Sequence, residues 1–360
     1  MDERIASLPE VLETLDGEKV TSAEQWQQKR RPEIFKCFRE HVFGREPCPD
    51  RLSFHMISEE QLKETIKSKK VRLTYVGPGG EGTFNVHLLI PCQSRQPVPA
   101  FLLINHQTPE SPLSTSFWPT DEIVSRGYAA IVIHVQEIDP DFDDGFKNGV
   151  HALFDAPGEP RPKNAWGTLA AWAWGASRVM DYLETDPDID QHRVAVVGHS
   201  RGGKTALWAG AVDQRFKMVV SNNSGCTGAA LSRGKKGETI KAINTRFPHW
   251  FAENYKAFND KEYDMPFDQH MLLSLIAPRL LYVTSATEDD WSDPESEFLS
   301  LLLTSPVYQL FGLKGLGESP YPSPEEPIIG EHVGYHLRTG QHDLVEYDWK
   351  CFLDFADRFL

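Results

Sequence analysis

Arg193-Val-Ala-Val-Val-Gly-His-Ser-Arg-Gly-Gly-Lys-Thr-Ala-Leu-Trp-Ala-Gly210 decides how the rest of the chain is read. A β-branched run, Val194 to Val197, predicts a buried strand. Gly198-His199-Ser200-Arg201-Gly202 then predicts a sharp turn, and Ala206, Leu207, Ala209 and Gly210 continue it as a helix. Strand, tight turn and helix with a serine at the tip form the G-x-S-x-G elbow. A nucleophilic serine must stand clear of the backbone beside free amide N–H groups that can hold an oxyanion. The flanking glycines let strand and helix approach closely enough for the turn to exist.

Working outward, further apolar runs predict a mainly parallel sheet. Pro99 to His106, Tyr128 to His134, Lys217 to Ser221 and Arg279 to Thr284 are continuous enough to be buried on both faces. Helical patterns alternate with them at Thr120 to Ser125, Gly167 to Leu183 and Tyr347 to Leu360. Pro32 to Gly44 reads as a helix, with Pro at its first position and Gly at its end. Val71 to Val76 and Thr83 to Ile90 read as an antiparallel hairpin around Gly-Pro-Gly-Gly. The expected fold is a three-layer α/β sandwich of the α/β-hydrolase type, with helices on both faces of the sheet. Residues 1–31 are expected to pack loosely as an N-terminal surface segment on a single domain, 32–360. An irregular insertion is expected near 226–265. That insertion and the Pro- and Gly-rich loop Leu313 to Glu331 are candidates to line a site.

Composition narrows the function. The 360 residues are 40% hydrophobic and 25% charged, an ordinary globular balance, and the net charge of −15 argues against nucleic acid and anionic membranes as partners. No basic and apolar leader opens the chain, and no run approaches the ~20 apolar residues of a membrane helix. Five scattered cysteines without C-x-x-C point to reduced thiols and a cytoplasmic location. No H-E-x-x-H or clustered metal-ligand spacing occurs, so neither metal nor other cofactor is expected. The sequence sets no oligomeric state.

In α/β-hydrolases the acid and then the histidine follow the serine. The acid belongs just beyond the strand ending at Ser285, in Ala286-Thr-Glu-Asp-Asp-Trp-Ser-Asp-Pro294. Asp289 is the first choice there, then Glu288, then Asp290; Asp293 suits the cap of a helix beginning at Pro294. The base belongs in the loop before the terminal helix, which selects His342. His336 falls within a strand-like run and reads as packed or substrate-facing. The oxyanion donors expected are the N–H of Arg201 and one from Asn105-His106-Gln107, with Gln107 the candidate. The Arg201 guanidinium offers either charge stabilisation or a salt bridge to a neighbouring acid.

Gly198-His-Ser-Arg-Gly-Gly-Lys204 is similar to the G-C-S-R-x-G-K motif of glucuronoyl esterases and of related acetyl xylan esterase-like carbohydrate esterases. Ser224 to Ala230, Trp250-Phe251, Pro266 to His270, Trp291 and residues 348–356 extend the resemblance over roughly 30–360. It implies an α/β-hydrolase without a cofactor, with Ser200 as nucleophile, His342 as base and Arg201 at the oxyanion. It also implies that Lys204 and either Trp250 or Trp291 contact sugar. The chain departs from the motif at His199, where the family has Cys. It also lacks the Glu of the family's Glu-Ser-Gly turn, since Asn222-Asn223-Ser224-Gly225 stands there. The acid must then come from the later loop, in agreement with Asp289. The reading is a serine esterase acting on a small-molecule or oligosaccharide ester, either a uronate ester or an O-acetyl sugar. A peptidase, a lipase-type esterase and a non-catalytic binding protein are the alternatives.

Overall fold

A computed structural model describes residues 3–92, 96–107, 115–155 and 159–360. Ten strands form one sheet: β1 Arg51–Lys63, β2 Ile66–Gly77, β3 Gly80–Pro91, β4 Val98–Asn105, β5 Ala129–His134, β6 Ile189–His199, β7 Met218–Asn222, β8 Leu280–Ala286, β9 Ile328–Ile329 and β10 Val333–Arg338. Their spatial order is β1-β2-β3-β5-β4-β6-β7-β8-β10-β9. The six strands from β5 to β10 in that order pair in parallel, and antiparallel strands flank them on both sides.

Alternation explains the unbroken apolar runs. In β4, Ala100, Leu102 and Ile104 enter one core, while Phe101 and Leu103 enter the other. In β6, Val194 and Val196 face the first core, and Ala195 and Val197 the second. Both faces are therefore apolar because both are covered. The first core is roofed by α1 (Arg31–Phe38), α3 (Thr168–Leu183) and α4 (Arg201–Val212), and the second by α2 (Thr120–Ser125) and α7 (Glu346–Phe359). Two further helices, α5 (Ile240–Arg246) and α6 (Pro294–Leu302), border the site described below.

Three expectations change. Residues 3–31 do not pack loosely: Trp26 is fully buried, and the Arg30 guanidinium donates to the carbonyls of Val11 and Glu10 at 3.0 Å each. Arg31 reaches the carbonyl of Ala211 at the end of α4 at 2.8 Å. A lone tryptophan and two buried arginines fasten the segment where charge and glutamine suggested solvent. Secondly, a strand at β1 was not expected, because its apolar alternation is confined to Leu52, Phe54 and Met56, and every residue from His55 on is exposed. Thirdly, the insertion 226–265 is ordered. Thr239 caps α5 through Ala242, and buried Arg233 binds Asp268 and the carbonyl of Phe267.

Candidate active site

The elbow lies at the end of β6, beside β4, where the chain reverses its direction of travel across the sheet. That is the point at which an open parallel sheet leaves a crevice at its carboxyl edge. Ser200 has φ 57° and ψ −122°, a strained backbone for a residue with a side chain. Its N–H is held by the carbonyl of Asn222 at 2.9 Å. The two elbow glycines are steric requirements. A Cβ on Gly198 would lie 2.0 Å from the carbonyl oxygen of Gly202, and one on Gly202 would lie 2.9 Å from that of Ile104. Helix α4 starts immediately after the serine, so its first N–H groups, from Arg201 to Gly203, lack intrahelical acceptors.

Ser200 shares a cleft of about 340 Å³ with Arg201, Lys204, Asn223, Asp289 and His342, among others. His342 Nδ1 and Asp289 Oδ2 are 2.6 Å apart. The other Asp289 oxygen accepts the N–H of Ser292 at 3.3 Å. Burial pushes the Asp289 carboxyl upward, but the bonds from His342 and Ser292 outweigh it and leave it below the usual carboxylate range. A carboxylate only accepts, so the proton of neutral His342 sits on Nδ1 and its Nε2 is left as the basic nitrogen. The neighbouring acids are placed differently. Glu288 and Asp290 are exposed, and Asp293 caps α6 through the N–H of Ser296. His336 is buried in the sheet between Thr284 and Asp348, at 2.8 Å from each, and has a structural role.

His199 lies under His342 with ring centroids 4.6 Å apart, and its Nδ1 meets Asn222 Oδ1 at 2.5 Å. Burial, with the nearby His342, drives its pKa down to about 3, so it stays neutral. Asn223 occupies the turn without a carboxylate at φ 46°, and both polar atoms of its buried side chain lack a protein partner. The residue borders the cleft, but both of these polar atoms are themselves buried beneath its surface.

Arg201 is clamped. Its guanidinium pairs with Asp141 and lies 4.8 Å above the Trp250 ring and 5.3 Å from that of Phe247. Burial raises the Asp141 pKa, but His249, Arg201 and Trp250 overcome it and bring the value to about 2. Trp250 is itself buried, stacked on Phe247 at 3.7 Å, and donates its Nε1–H to Asp141 at 2.8 Å. The salt-bridge expectation for Arg201 holds: the pairing with Asp141 keeps the guanidinium at the cleft. Lys204 Nζ donates to the carbonyls of Ser224 and Cys226 at 2.6 Å each, with the Glu238 carboxylate 3.7 Å away. Trp291, unlike Trp250, is half exposed at the cleft mouth.

Gln107 is a correction. It is exposed and outside the cleft lining, because the Asn105 side chain captures its N–H at 2.9 Å. Residues 108–114, which follow it, lie outside the described residues. Asp141 and Glu238 went unread. Asp141 sits in an acidic loop 60 positions before Arg201, and only tertiary packing brings the two together. Among the described residues no group of three His, Cys, Asp or Glu side chains has metal-binding geometry, and no helix is long and apolar enough to cross a membrane.

A mostly parallel sheet, helices on both faces and a strained serine at the end of a central strand define the α/β-hydrolase class. The particular family follows from comparison. A family model described as glucuronyl esterase, fungi, matches residues 74–312. The chain is 39% identical to the carbohydrate esterase MZ0003 from an unknown prokaryotic organism, over 98% of this chain and 90% of that protein. It is 27% identical to a 4-O-methyl-glucuronoyl methylesterase of Thermothelomyces thermophilus, over 92% of this chain and 81% of the relative. A solved glucuronoyl esterase from Solibacter usitatus is 42% identical and superposes with a TM-score of 0.90, covering 98% of this chain and 97% of the other. The chain belongs to the glucuronoyl esterase family and is a carboxylic ester hydrolase of the carbohydrate esterase kind.

Proposed function

We propose that the protein cleaves the ester of a uronic acid through Ser200, His342 and Asp289. The observation that carries this reading is the 2.6 Å His342–Asp289 pair in the same cleft as the strained serine. His342 Nε2 takes the Ser200 proton as Oγ attacks the ester carbonyl. The oxyanion forms beside the N–H of Arg201 and its clamped guanidinium, whose position is set before the reaction starts. The imidazolium then gives its proton to the departing alcohol, and water, activated by the same nitrogen, releases the uronate from the serine.

Lys204, Glu238 and Trp291 are assigned to the sugar. A uronate ester puts the sugar on the acyl side, where it stays in the cleft after the alcohol leaves. An O-acetyl sugar would leave only two carbons there and make little use of a 340 Å³ cleft with several polar groups. The names of the methylesterase relatives support the uronate ester as well. The test is a substrate panel. Methyl glucuronate is expected to be hydrolysed with a higher kcat/KM than acetylated sugars; the reverse order would overturn the assignment. Ser200→Ala is expected to lower kcat on the order of 10⁴-fold or more and to abolish labelling by a fluorophosphonate.

A further inference from the structure

The guanidinium of Arg201 is held from two separate loops. The loop after β5 supplies Asp141, and the loop after α5 supplies Phe247 and Trp250, with His249 on Asp141 as well. A cation used at a developing oxyanion must be in place before attack. Two loops far apart in sequence keep such a place only if they share a common reference.

Thr168, the buried first residue of α3, bonds to both. Its hydroxyl donates to Asp139 Oδ2 at 2.7 Å, two residues before Asp141. Its backbone N–H donates to the carbonyl of His249 at 3.0 Å, one residue before Trp250. The neighbours of Thr168 tighten this second attachment. The N–H of Leu169 donates to the carbonyl of Trp250 at 3.3 Å, and a Cβ on Gly167 would come within 2.3 Å of that oxygen. Asp139 is fixed in turn. Its other carboxylate oxygen lies 2.8 Å from Nδ1 of fully buried His151, and its carbonyl accepts from Trp172 Nε1 at 2.9 Å. Neither Asp139 nor Thr168 lines the cleft.

We infer that Thr168 is a positioning residue for ester hydrolysis. Its hydroxyl sets the loop of Asp141 and its N–H sets the loop of Trp250, so both halves of the Arg201 clamp hang from one residue. Without the hydroxyl, the Asp141 half loses its tie while the Trp250 half keeps its own. The guanidinium is then misplaced at the oxyanion, and the charge itself is kept. Such an error falls on the transition state, so it lowers kcat more than it raises KM. The inference rests on the role proposed above for the Arg201 guanidinium, and not on which ester is cleaved.

A double-mutant cycle on the full chain tests it, with whichever ester of the panel is cleaved fastest. Thr168→Val removes the hydroxyl and keeps the shape and the backbone N–H. With Arg201 present it is expected to lower kcat about tenfold or more and to change KM by less than about twofold. Thr168→Ser, which keeps the hydroxyl, is expected to stay near the wild type. In an Arg201→Met background the same Thr168→Val change is expected to alter kcat by less than about twofold. A loss of equal size in both backgrounds, or a wild-type kcat in Thr168→Val, overturns the inference and leaves the role of Arg201 standing. If Thr168→Val does not fold, Asp139→Asn takes its place in the cycle with the same expected outcomes. If Arg201→Met itself changes nothing, the oxyanion role of Arg201 has failed and the inference falls with it. A second measurement needs no ester. Arg201 Nε is buried without a protein partner, so the exchange of its hydrogen with water, followed by NMR, reads how tightly the clamp is closed. Exchange about tenfold faster or more in Thr168→Val than in the wild type supports the inference, and equal rates overturn it.

Discussion

At the scale of single residues, the acid loop shows how position separates neighbouring carboxylates. Glu288, Asp289 and Asp290 are consecutive, yet only Asp289 turns inward. In the mechanism proposed above, its buried carboxylate fixes the imidazole tautomer and stabilises the imidazolium formed during attack. Asp289→Asn is expected to lower kcat by several orders of magnitude with little change in KM, because the charge is used mainly in the transition state. Asp290→Asn is expected to change kcat far less, and steady-state kinetics on methyl glucuronate compare the two. Asp289 was readable because strand end, small residue and acid are local in sequence. The Arg201 clamp was not readable, because Asp141 and Trp250 reach the guanidinium from separate loops. Gln107 was misread because an Asn side chain two residues earlier competes for its N–H, which the order of motifs does not reveal.

At the scale of elements, two joints carry the site. The first is the turn from β6 to α4. Gly198→Ala drives a methyl group into the carbonyl of Gly202, and no flexible side chain is there to yield. The variant is expected to lose measurable ester hydrolysis and to unfold at lower urea concentration than the wild type, a combination that Ser200→Ala does not share. The second joint is α6 against the turn after β7. Glu297, on α6, accepts from the N–H of Gly225 at 2.8 Å and from Ser285 Oγ at 2.6 Å, all buried. Burial raises its pKa to about 7. A carboxyl raised in the folded state costs nothing while it is protonated in both states. The unfolded chain ionises first, so stability falls as pH rises from about 4.5 towards 7 and then levels. The full span of that loss is on the order of 3 kcal/mol. Glu297→Gln removes the ionisation and keeps the shape. Urea unfolding is therefore expected to show the variant gaining stability relative to the wild type between pH 5 and pH 8; a constant difference would refute the assignment.

At the scale of the whole molecule, five of the six central parallel strands were legible because each is apolar on both faces, a pattern only a covered sheet requires; β10 puts Gly334, His336 and Arg338 on one face and read only as a strand-like run. The hairpin β2–β3 and helices α1, α2, α3 and α7 were legible from period and caps, within a residue or two at most ends. The edge strand β1 was not, since solvent on its outer side removes the pattern. The N-terminal segment was misjudged for a related reason: one Trp26 and two arginines do the anchoring, and isolated residues make no period. Trp26→Ala is expected to cost about 3–5 kcal/mol in urea unfolding, the usual range for a fully buried aromatic. Its Nε1–H has no partner to strand. The kcat of the folded fraction is expected to stay near the wild type, because the anchor lies away from the cleft.

The acid loop leans on the last strand of the parallel block. The N–H of Thr287 donates to the carbonyl of Arg338 and that of Glu288 to the carbonyl of Gly340, each at 2.9 Å. His342 follows two residues later. Ser200 therefore precedes His342 by most of the second half of the chain, and the backbone bonds that fix the Asp289 loop come from the end of β10 and the residues just after it. On the mechanism proposed above, ester hydrolysis needs β10 paired with β8, so the chemistry is expected to depend on the completed fold.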